Sequence, residues 1–349
     1  MTTSKPTVIQ TDLDILSDYS LQLNRWLLKP IGAWPSSSIT TKTERVVSVI
    51  LIIICYSLIL ITVIPCLLHI ILEDEDLRTK LIVLGPLSHW SLGGIGYTML
   101  LMHNKEIKWC VEQIKSDWQA VTRPEVQEMM IKNAKYGRYV VAICATFFQV
   151  TILVFNVING LTEQVVQVGN ETRIVRVPPV AVYKKLIPVD TSPTNDIVLV
   201  VQCISGIIVS SGFVSAFSLA AIFIAHAYGQ LNILMMWISE FVDQSREHDK
   251  CDHLNDIGTI VNKHLSIMKL MVNIYILNSW QCNKVGETVY MSNWYYLPKK
   301  DVLELMFIIS RSFVETKLTA GKIIHISFYT FAGVMKTAFA YLNILLQTI

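Results

Sequence analysis

Apolar residues along this chain come in long uninterrupted blocks. Val46–Leu72 is 27 residues without Asp, Glu, Lys or Arg; Leu81–Met102, Tyr139–Leu161 and Ile197–Ala225 are 22, 23 and 29 residues of the same kind. About 20 apolar residues, rising ~1.5 Å each, cross a hydrocarbon core of ~30 Å, so all four blocks predict membrane-spanning helices. Ile323–Ile349, whose one charge is Lys336, predicts another. Between the blocks the pattern becomes amphipathic. Ile107, Val111, Ile114, Trp118 and Val121 recur at spacings of three and four, as do Ile257, Ile260, Val261, Leu265 and Met268, and then Val302, Leu305, Met306, Ile309 and Phe313 behind Pro298. These stripes predict helices that continue outside the bilayer and pack there. Leu265–Trp280 is ambiguous. Only 14 uncharged residues fit between Lys269 and Lys284, which is short for a span.

Lys and Arg near the blocks orient them. The segment ending at Arg45 holds five, the loop His103–Arg138 seven and the loop His226–Lys269 four, whereas the two alternating loops hold only six together. The N-terminus is therefore expected in the cytosol. The acidic turn Glu73-Asp74-Glu75-Asp76 is expected outside, as is the glycosylation acceptor Asn170-Glu171-Thr172. About 45 polar residues precede the first block, which argues for an anchor rather than a cleaved signal.

Composition narrows function. Of 349 residues, 52% are hydrophobic and 16% charged, with 29 basic against 27 acidic side chains; mean hydropathy is +0.46. That balance leaves no charge surplus for binding nucleic acid, and the apolar content exceeds what one soluble core needs. Thr319-Ala320-Gly321-Lys322 ends like a phosphate loop, but Thr316 stands where a glycine is needed and Ile323 where Ser or Thr would hold magnesium. No hydrolase or metalloprotease motif occurs, so neither enzymatic activity nor a cofactor is expected. Four of seven cysteines (Cys55, Cys66, Cys144, Cys203) lie in spans and none in the outer loops, so no disulfide framework and no metal site are expected. The first four spans lack acidic and basic side chains apart from His69 and His89, which argues against an ion-coupled transporter. His89 is weighed as a ligand contact against a helix–helix hydrogen bond.

The final segment is the most distinctive. It reads Gln281-Cys282-Asn283-Lys284, Tyr290-Met291-Ser292-Asn293-Trp294-Tyr295, Leu297-Pro298, Ile309-Ser310-Arg311-Ser312, Lys317-Leu318-Thr319-Ala320-Gly321-Lys322, Thr330-Phe331, Lys336-Thr337 and Tyr341-Leu342-Asn343. This closely resembles the C-terminal region of the insect odorant receptors. Weaker echoes are Asn24-Arg25-Trp26, Ile31-Gly32-Ala33-Trp34-Pro35 and Tyr228-Gly229-Gln230-Leu231. The resemblance implies an all-α membrane bundle acting as a subunit of an odorant-gated, non-selective cation channel in olfactory sensory neurons. It further implies a plasma-membrane hetero-tetramer with a shared co-receptor. Under it, residues 1–45 form a cytosolic segment and 46–280 the ligand-binding bundle. Residues 281–322 form an intracellular anchor, including Val302–Phe313, and 323–349 a pore-lining span with Tyr341, Ile344, Gln347 and Thr348 toward the pore.

A volatile ligand needs an apolar, aromatic pocket with one or two hydroxyls. Trp90 and Tyr97 share one face of the second block, and Phe148, Thr151 and Phe155 one face of the third. These five are the ligand-site candidates, with Phe213 and Phe217 expected too far inward. The sequence departs from the family where Ser279-Trp280 runs straight into Gln281-Cys282-Asn283. On the order of 40 residues, a loop and a span, are absent there. From the residues alone, a G-protein-coupled-type receptor, a transporter or a truncated receptor are the alternatives. Parity requires that Leu265–Trp280 not cross, giving five spans and an outside C-terminus. An epitope appended after Ile349 should therefore be labelled on unpermeabilised cells. Labelling only after permeabilisation would overturn the five-span topology.

Overall fold

The computed structural model describes residues 6–36, 41–168, 171–246, 257–273 and 279–312, with short pieces at 319–320 and 324–325 and single positions 333, 336 and 340. Helices α1 (Pro6–Leu28), α2 (Lys42–Leu72), α3 (Leu77–Met102), α4 (Asn104–Gln119) and α5 (Pro124–Leu161) lead to a hairpin of β1 (Glu163–Val168) and β2 (Glu171–Arg176). Helices α6 (Thr194–Arg246), α7 (Ile257–Asn273), α8 (Ser279–Met291) and α9 (Lys299–Ser312) follow, and then the short pair β3 (Thr319–Ala320) and β4 (Ile324–His325). Of the described helices, α2, α5 and α6 over Thr194–Asp243 are long and apolar enough to cross a membrane. Helix α3 has the length but not the hydropathy, because Pro86, Ser88, His89 and four glycines dilute its apolar residues. Asn170 and the pore candidates Tyr341, Ile344, Gln347 and Thr348 lie outside the described residues.

Local chemistry explains the element ends. Thr41 and Glu44 form a reciprocal capping box at the start of α2: the Glu44 N–H donates to Thr41 Oγ1 at 3.2 Å, and the Thr41 N–H donates to Glu44 Oε2 at 3.1 Å. Helix α5 opens on Pro124, where a missing N–H costs nothing. The hairpin adds strand to a chain read as all-helical. Val165, Val166 and Val168 pair in antiparallel register with Ile174, Arg173 and Glu171, a β-branched pattern suited to a pleated ladder.

The chain forms two compact units. One comprises Leu21–Val111 and Arg138–Leu219, the other Met1–Ser20, Glu112–Gly137 and Ala220–Ile349. In the first, the link after α1 turns at Gly32 (φ 70°), where a Cβ would lie 2.6 Å from the Ser48 carbonyl oxygen. Only glycine combines that backbone conformation with that approach. Arg25 lies 5.8 Å over the Trp34 ring in the same link.

In the second unit, α4 buries Ile114 and Trp118 as its periodicity predicts, together with Asp117. Asp117 accepts from Lys263 Nζ at 2.8 Å through Oδ1, and its Oδ2 lies 2.9 Å from His226 Nε2, so one carboxylate joins α4, α6 and α7. Burial pushes its pKa up, but the hydrogen bond and charge of His226 and the charge of Lys263 outweigh this and hold it below the usual carboxylate value. Arg123 grips Glu240 with two hydrogen bonds of 2.7 and 3.0 Å, a bidentate fork between the start of α5 and α6.

The buried stripe of α7 is Ile257, Ile260, His264, Ile267, Met268 and Met271, whereas Leu265 is 43% exposed. His264 replaces Leu265 on that face and is fully buried, with no hydrogen-bond partner on either ring nitrogen among the described residues. Burial, helped by the charge of Arg311, pushes its pKa down to about 4 from an ordinary 6.5. Between those values the unfolded chain binds a proton that the folded chain refuses, so stability falls as pH drops from 6.5 to about 4. The slope is at most about 1.4 kcal/mol per pH unit. His264→Leu should remove it. Thermal unfolding of the purified protein across this range checks the expectation, and parallel slopes in the two proteins would refute it.

Candidate functional site

In the unit Leu21–Val111 and Arg138–Leu219, α3 and α6 approach through glycine. A Cβ at Gly93 would lie 2.1 Å from Val209 Cγ1, one at Gly206 3.0 Å from Trp90 Cζ2 and 3.2 Å from Ile152 Cγ1, and one at Gly212 3.3 Å from Tyr97 Cβ. Small residues are what let membrane helices pack at this distance. Trp90 lies against Gly206 and its Nε1–H donates to Ser205 Oγ at 3.0 Å. Tyr97 lies 5.3 Å, centroid to centroid, from the Tyr56 ring, and its hydroxyl donates to the Ile31 carbonyl oxygen at 2.6 Å. Both side chains are almost completely buried. Their polar ends are satisfied within the protein, so they are not free hydrogen-bonding groups.

Helix α5 meets α6 at Gln149 and Ile152. Gln149 Nε2–H donates to Ser211 Oγ at 2.8 Å, and Ile152 contacts the Gly206 position. Phe148 and Phe155 flank this seam and are half-buried. Phe148 joins a ring run, 5.4 Å from Phe213, which is itself 4.9 Å from Phe217. The structure thus brings together Phe148 and Phe213, which the sequence reading separates. Thr151 is exposed, and its hydroxyl donates to the Phe147 carbonyl oxygen of its own helix at 2.7 Å.

The sequence reading passed over Asn156. Its side chain is 5% exposed and neither Oδ1 nor Nδ2 has a partner among the described residues. Nearby in type, Ser210 Oγ and His89 Nε2 are also buried without partners. An unpaired buried amide costs about 1–3 kcal/mol, which a ligand oxygen or hydroxyl placed against it would recover. The available signal was that Asn156 falls one turn beyond Ile152, on the face that turns from apolar to amide. On the loop that follows the hairpin, Gln202 clasps the Val180 backbone twice, at 3.0 and 2.9 Å, fixing this segment to α6.

Together these features define a largely helical membrane protein in which α3, α5 and α6 pack through glycines and buried aromatic rings, with a buried, unpartnered amide on α5. No family model and no curated relative matches the sequence. Solved structures do. The olfactory receptor OR5 of the insect Machilis hrabei superposes with a TM-score of 0.67 at 13% identity, over 95% of this chain and 100% of that one. The same receptor in complex with eugenol gives 0.68 at 11% identity, over 97% and 100%. The chain has the fold of the insect olfactory receptors.

The α3–α6 seam carries a direct test. Val209 is β-branched and nearly locked in a helix, so it cannot rotate away from a new methyl group. Gly93→Ala should destabilise the protein by roughly 1–3 kcal/mol, and Val209→Ala should restore most of that loss. The melting temperatures of the two single variants and the double variant measure the coupling; additive losses would show that the helices do not meet there.

Proposed function

We propose that this chain is an odorant-binding subunit of a ligand-gated, non-selective cation channel. It works in the plasma membrane of olfactory sensory neurons, with a cytosolic N-terminus and a co-receptor as its partner. The observation that carries this reading is the likeness of fold to the Machilis hrabei receptor over nearly the whole chain. Eugenol binds that receptor, so a small aromatic volatile is the first probe for this one. Its ring would lie against Phe148 and Phe155 within walls formed by Trp90 and Tyr97, with an oxygen at the Asn156 amide, and Thr151 contributing from the rim. No catalytic residue is assigned.

Assembly has its own support. On α9, Leu305 and Ile308 face inward, whereas Leu303, Met306 and Phe307 are more than half exposed. A water-side helix with apolar side chains on both faces suits an anchor that packs against neighbouring subunits. The final span, with Tyr341, Ile344, Gln347 and Thr348 toward the axis, completes the proposed pore: an apolar ring with polar neighbours gates ions by dewetting.

Cells expressing this chain with an insect co-receptor should pass an inward cation current when volatiles are applied. Asn156→Leu should raise the half-maximal concentration of oxygenated volatiles about tenfold, the loss expected for one hydrogen bond in a dry site, and should spare hydrocarbons. Surface-expressed, co-receptor-bound chains that stay silent to a broad panel would instead favour a subunit disabled by the segment missing between Trp280 and Gln281. Current without the co-receptor would overturn the partnership, and substrate uptake without current would overturn the channel reading.

A further inference from the structure

We propose that His69, Glu73 and Glu75 form a binding site for a divalent first-row transition cation, for which zinc is the probe. The three side chains offer one imidazole nitrogen and two carboxylate oxygens, all within 4.8 Å of one another. His69 and Glu73 stand one turn apart at the end of α2, and Glu75 reaches back from the turn before α3. His69 Nδ1 lies 2.8 Å from Glu73 Oε2, and Nε2 lies 3.4 Å from Glu75 Oε2. The imidazole is more than nine-tenths buried, while both carboxylates are partly open, at 24% and 32% exposure. Nδ1 points into the group, yet its contact with Glu73 is not aligned as a hydrogen bond.

No lysine or arginine pairs with either carboxylate among the described residues. Asp76, at the start of α3, accepts from the Thr79 hydroxyl. The C-terminal end of α2 adds the negative pole of its backbone dipoles, and the Glu73 N–H caps the His69 carbonyl at 3.1 Å, which fixes the pair. Two carboxylates and a ring nitrogen, held by a helix end with a solvent-facing side left for water, suit zinc better than calcium, which takes six or more oxygens.

Binding of zinc to the purified full-length chain, followed by calorimetry and by its melting temperature, tests this without reference to odorants. One zinc per chain is expected, and excess calcium should not displace it. His69→Ala, and separately the double change Glu73→Gln with Glu75→Gln, should each weaken binding by at least about tenfold. The glutamine variant keeps size and polarity, so its melting temperature without zinc should match the parent. Absence of zinc binding, equal binding by the glutamine variant, or displacement by calcium would each overturn the proposal. The first would leave His69 as the partner of an ion pair only.

Discussion

The contact between α3 and α6 is the constraint from which the span-containing unit is built. In lipid, apolar side chains gain little by leaving the acyl chains for one another, so helices associate through close packing and hydrogen bonds. At Gly93, Gly206 and Gly212 the backbone gives up side chains so that Val209, Trp90 and Tyr97 can fill the space. That approach sets the height at which Trp90 meets Ser205 and Tyr97 meets the Ile31 carbonyl. The Ile31 contact in turn seats the Gly32 turn against Ser48, so the path of the chain from α1 into α2 follows from a glycine on a different helix. Gln149 and Ser211 extend the same seam to α5.

The unit containing α7 and α9 is organised differently. Its helices α4, α6 and α7 meet at one buried carboxylate, Asp117, shared between His226 and Lys263, with Gln113 Nε2 donating at 3.1 Å. A buried charge of this kind is tolerable only while its partners remain, because removal of either leaves the other ion without compensation. Specificity of helix arrangement comes from polar atoms here and from shape in the other unit. His264 stands as the exception, a polar ring on an apolar stripe with no hydrogen-bond partner among the described residues.

Much of this was legible in the residues. Uncharged blocks announce their helices because length and charge are properties of the chain itself. The α4 stripe was readable for the same reason. Other features depend on partners that lie far away in sequence. The α7 stripe slipped by one position, from Leu265 to His264, because hydropathy ranks leucine above a neutral histidine and cannot see burial. In α5 the aromatic rings drew attention to Phe148, Thr151 and Phe155, whereas the contacts with α6 run through Gln149 and Ile152. The hairpin was written in the sequence: β-branched residues alternate on both sides of Gly169-Asn170, a turn-forming pair. The His69 group escaped because its members mix a span residue with a loop, and only the end of α2 brings them together.

The length of α2 has a consequence for where such a chain can reside. From its capped start at Thr41 to Glu73 it holds 31 helical residues, or about 46 Å of rise, against a hydrocarbon thickness of about 27 Å in the endoplasmic reticulum and 32–33 Å in the plasma membrane. The surplus exceeds the difference between the two membranes. A change of bilayer thickness would therefore be met by a small change of tilt or by sliding of the helix ends. The lipid need not stretch, and the packed glycine seam need not shear.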